Sequence, residues 1–137
     1  MWADVFQLPS VRALRETRPA GIGLSPLTEH LRALCGARGE RPEQIIRRAN
    51  VERSFGHQVF KGTRRPSRDT VIRLAFGFAL DLEGAQELLR HAACGPLYPR
   101  VLRDAAIGFC LENGESLMDC QEALLELGLP LLGEKET

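Results

Sequence analysis

Apolar residues recur at helical spacing in one short stretch of the chain after another. Leu27, Leu31 and Leu34, with Cys35 alongside, mark a helix over 27–38, which Gly36 and Gly39 bring to an end. Behind Pro42, Ile45, Ile46 and Ala49 share one face. Proline suits a first helical turn, where its missing N–H has no partner to lose. Asn50 comes next, a residue that tolerates the left-handed conformation of a sharp turn. Val51, Phe55 and Val59 then give a second short helix its apolar face, and Gly62 ends it. Ser67 is placed to cap a helix carrying Val71, Ile72, Leu74, Ala75 and Phe78. Asp81 is placed to cap another over 82–91, with Leu88 and Leu89 inward.

The C-terminal pattern repeats what precedes it. Shifted by 35 positions, Arg68-Asp69 falls on Arg103-Asp104 and Ile72 on Ile107. Likewise Leu82 falls on Leu117, Gln86-Glu87 on Gln121-Glu122 and Leu89 on Leu124, with no gap. A constant offset marks a repeated supersecondary unit. It predicts a second helical hairpin, with helices over 100–113 and 116–127, joined to the first by the stiff stretch Gly95-Pro96-Leu97-Tyr98-Pro99. At the other end, Val5, Phe6, Leu8, Val11 and Leu14 fit one amphipathic helix, and Pro19, Gly21 and Gly23 read as a linker.

Two short helices, a tight turn and a basic loop make a helix-turn-helix. The stretch Arg41–Ser67 resembles the lambda-repressor-like (Cro/C1, XRE) family. Ala49-Asn50-Val51 stands where the family carries a small residue, a glycine and an aliphatic. Gly62-Thr63-Arg64-Arg65-Pro66-Ser67 matches its glycine, basic run and Pro-Ser helix start. The likeness covers roughly residues 27–91. Three positions depart from it. Ile46 replaces a usual alanine and Gly56 a usual branched aliphatic; the two face each other across the turn, so their summed volume is similar. Pro42 stands where a polar residue, often glutamine, touches phosphate.

The expected fold is all-α: a five-helix repressor-like domain over 26–95, preceded by an arm over 1–25 and extended over 96–137 by a hairpin that repeats helices four and five. The resemblance implies sequence-specific binding of double-stranded DNA by a transcriptional regulator, as a homodimer on a two-fold site. A helix of this kind reads base edges in the major groove. Arg53, His57 and Lys61, with Ser54 and Gln58 in the next row, share the polar face opposite Val51, Phe55 and Val59. Arginine suits guanine and glutamine adenine. Thr63, Arg64 and Arg65 sit where phosphate contacts belong, and Gln44 is placed to reach the backbone from the first helix. Glu52 either meets cytosine or repels phosphate.

Charge sharpens this picture. The formal net charge is zero, yet Arg38–Arg68 holds nine basic and three acidic residues, a net +6. Cys110–Thr137 holds seven acidic residues and one basic, a net −6. A polyanion responds to the local patch. The acidic half is a candidate surface for a protein partner, and the rival reading is an interaction adaptor that keeps the fold without binding DNA.

Other chemistry is thin. Cys35, Cys94, Cys110 and Cys120 show no CxxC and no paired histidine spacing, which favours buried thiols in a cytoplasmic protein over a zinc site. His30, His57 and His91 stand apart in sequence without a nucleophile or carboxylate constellation, so no enzyme activity is expected. No phosphate-binding glycine motif occurs, and no cofactor or metal is expected. Trp2 and Tyr98 read as packing residues. There is neither an apolar run of membrane length nor a secretory leader pattern at the N-terminus.

Overall fold

The computed structural model describes residues 25–133; the predicted N-terminal helix and Trp2 lie outside them. Seven helices and no strand are found among the described residues. They are α1 (Pro26–Arg38), α2 (Pro42–Arg48), α3 (Arg53–Lys61), α4 (Arg68–Gly77), α5 (Leu82–His91), α6 (Leu102–Glu112) and α7 (Leu117–Glu126). None is long and apolar enough to cross a membrane.

The ends follow the chemistry of capping. Ser25, Ser67, Asp81 and Ser116 each accept a backbone N–H from the first turn of α1, α4, α5 and α7. Ser116 and Asp119 bond each other's backbone reciprocally. Gly39 and Gly62 close α1 and α3 in the left-handed conformation, at φ 64° and 86°. Gly36, expected to help end α1, lies inside it: a residue is released from the helix only at Gly39. Similarly, α6 begins two residues later than its pattern suggests, at Leu102, because Val101 holds an extended backbone.

One core runs through all seven helices. Leu31, Ile45, Val71, Ile72, Phe78, Leu88, Ile107 and Leu124 are fully buried. Helix α2 packs on α3 and α4, α1 on α3 and α5, and the hairpin α6–α7 packs on α4 and α5.

The two hairpins share a set of bonds at the offset of 35, although Ser67 caps α4 while α6 has no side-chain cap. Left-handed residues Ala79 and Ala93 correspond to Gly114 and Gly128. The Gln86 amide both donates to and accepts from the backbone of Leu97, at 2.9 and 2.7 Å. Gln121 does the same with Leu132, at 3.0 and 2.8 Å. Arg68 donates to the carbonyls of Gly95 and Pro96, and Arg103 to those of Pro130 and Leu131.

The same arginines then cross between the hairpins. Arg68 pairs with Asp104 at 2.9 Å and Arg103 with Asp69 at 3.1 Å. Asp104 also accepts the Tyr98 N–H and Asp69 the Gly133 N–H. Each hairpin therefore gives the other what it receives, the reciprocity of a two-fold interface. Burial pushes the Asp69 carboxyl up, but bonds from Arg103 and the Gly133 N–H outweigh it and leave the group below the usual carboxylate range.

Candidate nucleic-acid interface

Helices α2 and α3 meet at a turn built as its residues require. Asn50 takes φ +52°. Val51 is buried beyond it, while Ile45, Ile46 and Ala49 bury the inner face of α2. At the crossing, a Cβ placed on Gly56 would lie 2.7, 2.8 and 3.0 Å from three side-chain carbons of Ile46. The large residue on α2 thus occupies the space left by the glycine on α3.

The turn is fastened from outside the pair. Arg73, on α4 and 3% exposed, donates to the carbonyls of Ala49 and Asn50 at 3.1 and 2.6 Å and to that of Leu132 at 2.9 Å. One guanidinium thus ties the α2–α3 turn to the end of the second hairpin. Nothing in the local pattern singles Arg73 out, since it lies within an apolar stretch and its partners are 23 to 59 residues away. Arg48 adds a tie from α2 to the Gly77 carbonyl at 2.9 Å.

The outer face of α3 gathers the expected side chains. Arg53, Ser54, His57, Gln58 and Lys61 line one open concavity of about 480 Å³. Arg53, Ser54 and Lys61 are exposed, and His57 and Gln58 half-buried. Thr63, Arg64 and Arg65 follow in an exposed loop. That loop is held by the Gln58 carbonyl, which accepts both the Thr63 N–H and hydroxyl. Arg64 stands over the Phe55 ring at 5.3 Å, a cation–π contact that keeps the guanidinium against α3.

Two residues have local roles that spacing alone does not reveal. The Glu52 carboxylate caps α3, accepting the N–H groups of Ser54 and Phe55 at 2.8 and 2.9 Å. Those two bonds hold its carboxyl below the usual range. It therefore complements the positive end of the helix, while the side chain stays exposed and lines the same concavity as Arg53 and Lys61. Gln44 accepts the Arg41 N–H at 2.8 Å, so its oxygen is already engaged at the start of α2.

The basic excess divides into paired and unpaired groups. Arg38 and Arg48 both close on Glu40, Arg53 meets Glu43 at 3.0 Å, and Arg68 is held by Asp104. The two guanidinium groups, Arg48 foremost, hold the Glu40 carboxyl down to about 2. Arg41, Arg47, Lys61, Arg64 and Arg65 are exposed and form no ion pair with the described residues. Three of these five, Lys61, Arg64 and Arg65, cluster at the end of α3 and in its loop.

The four cysteines are free thiols. Cys110 and Cys120 are buried side by side between α6 and α7, and burial pushes Cys120 up to about 12. Comparison with protein-family models, with curated proteins and with solved structures found no match.

Proposed function

We propose that the chain binds double-stranded DNA sequence-specifically and regulates transcription, using α2 and α3 as a helix-turn-helix of the repressor-like (Cro/C1, XRE) kind. The observation that carries this reading is the outer face of α3. Arg53, Ser54, His57, Gln58 and Lys61 share one open surface, with Arg64 and Arg65 exposed in the loop beside it. In this reading Arg53, Ser54, His57 and Gln58 face base edges in the major groove, while Lys61, Thr63, Arg64 and Arg65 meet phosphates. Gln44 adds a backbone contact from α2. The DNA-binding unit is 26–95, with 96–137 as its extension, and the protein acts as a homodimer on a two-fold site.

The test is selection from a randomised duplex pool at low salt, followed by salt titration on the winning site. Affinity should fall steeply with salt because each neutralised phosphate releases counterion. Arg64→Ala or Arg65→Ala should weaken binding to every sequence and flatten the slope by about one unit each. Arg53→Ala or Gln58→Ala should cost about 1–3 kcal/mol on the preferred site and relax its sequence. Absence of measurable duplex binding at low salt refutes the proposal.

A second reading, an adaptor that docks another protein, has one observation of its own. Phe109 occupies in the second hairpin the place of Leu74 in the first, yet Leu74 is buried and Phe109 is 65% exposed. Leu102, Met118 and Leu125 are exposed on the same two helices, and Leu127 just past the end of α7. Under this reading Phe109→Asp abolishes partner binding while the DNA pool yields nothing.

A further inference from the structure

His30 and His91 are 61 positions apart in sequence, yet α1 and α5 bring their rings together. The imidazoles stack with centroids 4.1 Å apart and planes 2° from parallel, and both are half-buried. Glu87 lies one turn before His91 on α5, hence on the same helical face. One ligand atom from each of the three lies within 4.8 Å of the other two. The His91 Nδ1 is 2.9 Å from the backbone carbonyl of Glu87. A proton on Nδ1, donated there, leaves the Nε2 lone pair free. This is the supporting bond that orients metal-ligating histidines. Among the described residues, neither the His30 ring nor the Glu87 carboxylate has a hydrogen-bond partner, so both remain available.

We propose that His30, Glu87 and His91 form a binding site for a divalent transition-metal ion of the zinc class, clamping α1 to the last turn of α5. Two imidazole nitrogens and one carboxylate oxygen are the three-ligand set of a tetrahedral site with one open position. That donor set suits zinc, cobalt, nickel or copper; magnesium and calcium require oxygen shells. With bonds of about 2.0–2.1 Å, tetrahedral ligand atoms stand roughly 3.4 Å apart. The cluster therefore needs a small inward closure, reached as the rings turn out of their parallel stack. The ligands come from opposite ends of the first five helices, so the unfolded chain does not hold them together. Metal binding should therefore stabilise the fold. None of its residues lines the outer face of α3, although His91 borders a cavity that Thr63, Arg64 and Arg65 also line. Zinc binding to the chain is read without DNA, so its failure and that of the DNA-binding reading are separate outcomes.

The experiment uses the full chain, free of any affinity tag and stripped with chelator. Titration calorimetry with zinc chloride should show one equivalent bound. Melting should rise by roughly 10 °C when free zinc stands about a hundredfold above Kd. Cobalt in place of zinc should give the intense visible bands of a tetrahedral ion. Glu87→Gln, which keeps size and helix propensity, should weaken binding at least tenfold, and His30→Asn or His91→Asn should abolish it. Failure of the native chain to bind zinc overturns the proposal. So does a zinc equivalent that survives both histidine changes, which would place the ion elsewhere, or a magnesium effect equal to that of zinc.

Discussion

The crossing of α2 and α3 allows a test in which one substitution changes sign. Alanine at position 56 puts a methyl 2.7–3.0 Å from Cγ2, Cγ1 and Cδ1 of Ile46. Comfortable carbon contacts lie at about 3.5–4.0 Å, so the shortfall is close to 1 Å against three atoms at once. Ile46 cannot swing away easily: it is 2% exposed, and its branched Cβ restricts χ1. Overpacking of this kind costs about 1–3 kcal/mol. Against it stands the gain of alanine over glycine inside a helix, about 0.5–1 kcal/mol. Gly56→Ala should therefore destabilise the native protein by about 0.5–2 kcal/mol.

Ile46→Ala alone should cost about 2–4 kcal/mol, from lost burial and the cavity left behind. In that background the crowding is gone and only the helix preference remains. Gly56→Ala should then stabilise by about 0.5–1 kcal/mol. Urea unfolding followed by far-ultraviolet circular dichroism yields all four corners of the cycle. A Gly56→Ala protein more stable than the parent would refute the packing account. So would an equal effect in both backgrounds. The full exchange, Ile46→Ala with Gly56→Ile, should recover much of the loss by restoring the summed volume.

Other expectations follow from single contacts. Ala93 holds φ +56° where its counterpart in the second hairpin is Gly128, so Ala93→Gly should relieve about 1–2 kcal/mol of strain and return part of it through a looser unfolded chain. A net rise of about 0.5–1 kcal/mol in urea unfolding is expected. Arg73→Met keeps bulk but strands the Ala49, Asn50 and Leu132 carbonyls, and should cost about 2–4 kcal/mol by the same assay. Glu40 has a folded pKa of about 2 against 4.5 for the free group. Its stabilisation is complete above pH 4.5 and is lost as pH falls through 2, so the melting-point gap between the parent and Glu40→Gln should be flat from pH 5 to 7 and close in acid.

Local physics made much of this fold legible in the sequence. Ser67 and Asp81 cap where a serine or aspartate precedes an apolar period, and Asn50 turns where few other residues can. The 35-residue offset extends beyond the side chains first matched, to left-handed turns and to the Gln86 and Gln121 clasps. What sequence hides is non-local. Arg73 reads as a charge among apolar residues until the carbonyls it serves are folded against it. The capping role of Glu52 is hidden because it is set by backbone geometry at the start of α3. His30 and His91 read as isolated because only the packing of α1 on α5 makes them neighbours.

Arg73 also bears on why the chain carries a second hairpin. Its guanidinium holds two carbonyls of the α2–α3 turn with one hand and the Leu132 carbonyl with the other. Leu132 is in turn clasped by Gln121 on α7, and the hairpin is locked to α4 by the Arg103–Asp69 pair. A buried guanidinium satisfied by three backbone carbonyls loses much of its stabilisation if one is withdrawn, because the freed donors stay desolvated. The second hairpin therefore completes the support of the turn on which α3 is aimed. Gln121→Ala, remote from α3, should accordingly loosen the α2–α3 turn. Amide hydrogen exchange at Val51 should speed up more in this variant than exchange at Leu31 in α1. Equal rates at Val51 in parent and variant would sever the link between the second hairpin and the turn.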